Sequence, residues 1–178
     1  LLWVGLGAGT GYGWHAAGPL EYRPDLRIDG GFASSGLLHL LPEVGYQLNE
    51  RFAVSLQSRH QIIPAEGTRG GRPGQPARGA HAVLLRGQWS PFGATFRPFL
   101  SAAVGGGEGF RFRFAPGTVT AQPGTDTVRG GPLVFGPGAG FVLHLGDRFA
   151  LVLEARALVG APDLAVLGEA GLGLLARF

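Results

Sequence analysis

Ser58 and His60 stand two positions apart, and His81 opens a later segment of the same apolar–polar rhythm. A serine hydroxyl beside an imidazole is the start of a nucleophilic site, because the base takes the proton that keeps the hydroxyl unreactive. The third part of such a site is a carboxylate that orients the imidazole and stabilises it once protonated. No carboxylate shares the face of Ser58 and His60 on the adjacent segments, so the arrangement reads as non-catalytic and an enzyme is not expected. A second set of residues invites different chemistry. Glu43, Arg86, Arg97, Glu154, Arg156 and Glu169 each sit between apolar residues, Gly or Pro, and Arg59 keeps the same inward parity between Ser58 and His60. Charges placed so must be buried, and buried charges are satisfied by pairing. An ion-pair network is therefore expected, in preference to a proton or ion relay.

The remaining signals for bound groups are weak. His39 and His144 face inward but toward opposite ends of the fold deduced below, which argues against a shared metal. His15 and His81 fall at strand ends, where an interfacial role is expected. Gly105-Gly106-Gly107 and Gly136-Pro137-Gly138 carry no phosphate-binding lysine and open no helix, so they read as wall or loop glycines. Neither metal nor cofactor is expected. All fifteen basic residues are arginines, scattered along a chain of net charge +3. Nucleic-acid binding calls for a grouped basic face, and none is expected here.

The elements that must position these residues are strands. From Leu164 to Phe178 the even positions hold Leu164, Val166, Gly168, Ala170, Leu172, Leu174, Ala176 and Phe178, while Glu169 and Arg177 fall on odd ones. Only a strand sorts residues with period two. An apolar face backed by a polar one suits lipid outside and a polar lumen inside. Turn signals cut the 178 residues into eight such segments, at 2–15, 36–48, 51–63, 80–90, 95–114, 132–145, 149–160 and 164–178. Residues 1–20 are apolar enough to suggest a membrane helix, but Gly5, Gly7, Gly9, Gly11 and Gly13 recur on one face of a strand and would ruin a helix. The expected architecture is one domain over 1–178, all-β, an eight-stranded antiparallel up-and-down transmembrane barrel.

Faces follow from parity. Phe52, Val54, Leu56, Ser58, His60 and Ile62 point outward in the third segment, with Ser55, Gln57, Arg59 and Gln61 inward. The run Phe110-Arg111-Phe112-Arg113-Phe114 is expected to keep the parity of the fifth segment and project above the membrane. The glycine row of the first segment is expected to leave room for the long guanidinium groups. Pairing across the 161–163 turn would bring Glu154 near Glu169, with Arg156 between them. Tyr46, Phe52, Trp89, Phe96, Phe149 and Phe178 would form one aromatic belt, and Tyr12 and Trp14 the other. Pro42, Pro98 and Pro137 fall inside strands and demand bulges or strand ends, since proline cannot donate to a ladder.

Three connections are tight (Asn49-Glu50, 90–94 and Gly146-Asp147) and three are long (16–35, 64–79 and 115–131). Barrels of this kind keep short turns on the periplasmic side, which would leave both termini there. The chain has no Cys and no Met, which excludes disulfides and thiolate metal sites and suggests a processed chain.

Over essentially its whole length the chain resembles the small eight-stranded outer-membrane barrels of the OmpA/OmpX type. The ending Gly173-Leu174-Leu175-Ala176-Arg177-Phe178 is similar to that family's assembly signal, with Gly173, Ala176 and Phe178 as its marks. The resemblance implies a Gram-negative outer membrane and insertion by its assembly machinery. The function expected is a structural or interaction barrel with a plugged lumen, anchoring or binding other envelope components. A narrow conduit for small apolar molecules and a lipid-modifying enzyme are the alternatives. Lipid and lipopolysaccharide would surround it. Arg69, Arg72 and Arg78, set against Glu66, form a positive loop suited to phosphates or to an acidic partner. Small residues on the outer wall, Ala155, Ala157, Gly168 and Ala170 above all, mark a possible protein contact.

Overall fold

The computed structural model describes residues 1–21, 24–36, 38–63, 79–92, 95–114 and 126–178. Among these, every regular element is a strand: β1 (Leu2–His15), β2 (Gly18–Pro19), β3 (Arg27–Ile28), β4 (Gly31–Ser34), β5 (Leu38–Gln47), β6 (Phe52–Ile62), β7 (Ala80–Trp89), β8 (Phe96–Gly107), β9 (Phe110–Phe114), β10 (Asp126–Leu145), β11 (Phe149–Asp163) and β12 (Ala165–Arg177). Eight of them, β1, β5, β6, β7, β8, β10, β11 and β12, form a closed antiparallel ring. It is sealed by the ladder from Trp3↔Arg177 to His15↔Ala165. Closure leaves no edge strand in the ring, so the wall's backbone groups pair between strands without water, as a membrane requires.

The period-two pattern governs the wall. Val54, Leu56, Leu85, Leu100, Leu153, Leu172 and Leu174 are exposed, whereas Arg59, Arg86, Gln57 and Glu169 are buried. A soluble protein would invert this. At the short-turn end Phe96 stacks on Phe141 at 4.8 Å, and Phe52 faces Trp89 across the β6–β7 ladder. At the other end Tyr12 stacks on Phe32 at 6.2 Å. The β5–β6 turn is tied by Asn49, whose Oδ1 accepts from the N–H groups of Arg51 and Phe52 at 2.9 Å each.

Three expectations are corrected here. The segment 95–114 is not one strand: Gly107 and Gly109 take positive φ values of 147° and 74°, which breaks β8 from β9. β9 then keeps its ladder to β10 and touches β4, instead of rising above the wall. Phe110 and Phe112 become fully buried in a cluster with Leu84, Val134, Leu158 and Leu167, so these phenylalanines face inward and cap the lumen. The residues between β1 and β5 are also structured. β4 pairs along Tyr12–His15 of β1, and Leu20 and Ile28 pack on Val128. His15 is consequently buried, in contact with the rings of Phe112 and Phe114, and is not interfacial. Lastly, β11 runs on to Asp163, paired with an early-starting β10 through Gly131↔Asp163, so the 161–163 turn is strand.

The prolines are accommodated without bulges. Pro98 lies beyond the end of the β7–β8 ladder, which stops at Trp89↔Leu100. Pro42 and Pro137 sit where the ladders to β6 and β11 skip two pairs in equal register on both strands.

Candidate functional site

β5, β6, β7, β11 and β12 carry the ionic residues on inward positions, and side chains from opposite walls meet across the lumen. Glu169 is the centre of the upper group. Its carboxylate accepts from His39 Nδ1 at 2.8 Å, Arg59 Nε at 3.1 Å and Arg156 Nη2 at 3.3 Å. His39 is held in turn by Ser35 Oγ, 3.0 Å from its Nε2. The lower group is built on Arg86. Its Nη1 donates to Glu43 at 2.8 Å, and its Nε and Nη2 form a fork on Glu154 at 3.2 and 2.8 Å. Ser101 Oγ adds a bond to Glu154 at 2.6 Å, and Ser55 Oγ one to Glu43. Gln57 joins the two groups, accepting from Arg156 Nη1 and donating to Glu43 at 3.1 Å.

Three guanidinium groups and three carboxylates therefore form one connected array with no net charge while His39 is neutral. Charges taken out of water need this completeness, since a single unpartnered ion would cost several kcal/mol. Aromatic rings close both ends. Phe110 lies 6.0 Å from the Arg59 guanidinium above, and Trp3, Gln88 and Leu175 separate the array's cavity from the short-turn mouth below. Trp3 packs inside the lumen over its ladder partner Gly45, where a Cβ would collide with its ring. Between the array and the β12 wall lies a cavity of about 510 Å³, counting its open side.

The sequence expectations map unevenly onto this geometry. Glu43, Arg59, Arg86, Glu154, Arg156 and Glu169 converge, but Arg156 does not bridge Glu154 to Glu169. It lies opposite Glu169 in the β11–β12 ladder, while Glu154 turns to Arg86 on the far wall. Arg97 stands apart at the short-turn mouth and makes no ion pair among the described residues, because it occupies the second position of β8, below the array. The glycine row of β1 is packed chiefly by Leu175, Leu41 and Leu167 and not by guanidinium groups. His39 and Gln57 belong to the array and were missed. Their inward parity was visible, but their partners come from strands far away in sequence.

Outside the lumen, Ser58 Oγ lies 2.7 Å from His60 Nε2, and His60 Nδ1 lies 2.8 Å from His81 Nδ1. Glu108 binds the backbone N–H of His81 at 3.2 Å and not its ring, so among the described residues no carboxylate orients this pair. On the opposite wall Ala155 faces Ala139 and Ala170 across its two ladders, and Ala157 faces Gly168, giving one smooth patch. Phe178 is exposed at the end of the chain and Ala176 half-buried beside it, with Gly173 inward. Arg69, Arg72, Arg78 and Glu66 lie outside the described residues.

Neisserial surface protein A superposes with a TM-score of 0.60 at 12% identity, over 99% of this chain and 97% of that one. The N-terminal β-barrel domain of Pseudomonas aeruginosa OprF gives 0.50 at 13%, over 97% and 96%. The chain has the fold of the small outer-membrane barrels. Its sequence matches no family profile, and no curated protein aligns with it. What this barrel shares with its neighbours is therefore architecture: eight antiparallel strands of the OmpA/OmpX type.

Proposed function

We propose that this chain is an anchoring or interaction barrel of a Gram-negative outer membrane, with a lumen closed to solutes and both termini periplasmic. One observation carries the reading: the charge-balanced array spans the lumen between the Phe110 cap and the Trp3 partition. Ladders join every neighbouring pair in the ring, which weighs against a lateral conduit for apolar molecules. The Ser58–His60–His81 chain weighs against lipid-modifying catalysis, since among the described residues no carboxylate bonds to either imidazole ring.

With the lumen filled, binding falls to the loops, the turns and the wall. Lipid and lipopolysaccharide surround the wall, and the outer-membrane assembly machinery inserts the chain through its Gly173–Phe178 ending. A protein partner in the envelope docks on the smooth patch of Ala155, Ala157, Gly168 and Ala170, where backbones approach closely. Ala155→Leu and Ala170→Trp should remove that partner from native-membrane pull-downs while leaving heat-modifiable migration of the barrel intact. Retention of the partner by both variants would move the contact to the loops.

A further inference from the structure

Below the Trp3 partition the lumen opens into a second cavity of about 480 Å³, counting its mouth. Arg51, Arg97, Arg177 and His144 line it, over an apolar floor that includes Trp3 and Leu175, and no Asp or Glu side chain is among its lining residues. Three of its nitrogens, Arg97 Nε, Arg177 Nε and His144 Nδ1, are buried without a protein partner. What these arginines do bind is backbone oxygen: Arg97 Nη2 donates to Glu50 O, and Arg177 Nη2 to Gly146 O at 3.3 Å. Arg97 and Arg177 repel each other and both act on His144, while Glu50 opposes this at Arg97 alone.

A barrel that neutralises its interior so completely leaves this cluster unbalanced, and buried N–H groups without acceptors are costly. We propose that the short-turn mouth is a binding cup for a phosphate-type oxyanion, either free phosphate or the headgroup phosphate of a phospholipid. A phosphate presents several acceptor oxygens in different directions, so guanidinium groups converging from β8, β12 and the β5–β6 turn can each reach one, whereas a carboxylate offers only two. The apolar floor excludes water beneath the ion and strengthens each contact. The cup lies beneath Trp3, so its occupancy is independent of whether the lumen above conducts.

The test uses the full chain folded in dodecyl maltoside at low salt, titrated calorimetrically with inorganic phosphate and, separately, with dihexanoyl-phosphatidylglycerol. Saturable binding of either probe is expected. Response to phosphate assigns a soluble anion, and response to the lipid alone assigns a headgroup. Arg97→Gln should weaken binding at least tenfold, as should His144→Ala if Arg177→Gln fails to fold. Arg129→Gln, which breaks an exposed pair with Asp163 at the opposite end, should bind as the unaltered barrel does. Raising the salt should weaken binding. Absence of binding by both probes, or undiminished binding by Arg97→Gln and His144→Ala, would overturn the cup.

Discussion

The centre of the lumen and its short-turn mouth are built from the same residue types and obey opposite rules. At the centre each of Arg59, Arg86 and Arg156 meets a carboxylate, and side chains from β5, β6, β7, β11 and β12 close the array. At the mouth Arg51, Arg97 and Arg177 gather around a cavity that no acidic side chain lines among the described residues, with Glu50 acting on Arg97 from outside it. Depth explains the difference. At the centre Arg59, Arg86, Arg156 and Glu169 are buried, so charges there are matched within the protein. The mouth opens to solvent and keeps positive charge that something outside the chain can meet. A buried pair organises the fold; an unmatched cluster is free to recognise.

The sharpest way to break the comparison is at Glu169, which is 3% exposed and holds three cationic or imidazole partners. Glu169→Ala strands Arg59 and Arg156 in the lumen and should cost about 3–5 kcal/mol in urea unfolding of the bilayer-embedded barrel. Arg156→Ala should cost less, about 1.5–3 kcal/mol, because Glu169 keeps Arg59 and His39. Equal losses in the two variants would mean that Glu169 is not the hub. Arg97→Gln should move stability by no more than about 0.5 kcal/mol, since it breaks no ion pair and relieves a repulsion with Arg177. A loss comparable to that of Arg156→Ala would erase the distinction between centre and mouth.

The ring itself was legible because strand periodicity is local. Each of the eight segments announces its own inward and outward faces, and the observed bounds differ mainly at the top of the barrel. What sequence could not show lies where local rules stop. Parity continues unbroken through Glu108-Gly109, yet two positive φ values turn Phe110 and Phe112 from the outside to the lumen. The loop between β1 and β5 carries no alternation, so its pairing to β1 and its packing on Val128 appear only once β10 is seen to begin at Asp126. The array was legible as a set of inward charges and illegible as pairs. Glu169 and Arg59 are 110 residues apart, and only ring closure sets them face to face.

If the array, the Phe110 cap and the Trp3 partition together close the lumen, the barrel passes no ions. Planar-bilayer recording of the purified, refolded chain tests this most directly. A closed lumen leaves the membrane silent, with no stable unitary current steps at either polarity. Reproducible long-lived open levels from the unaltered barrel would contradict it.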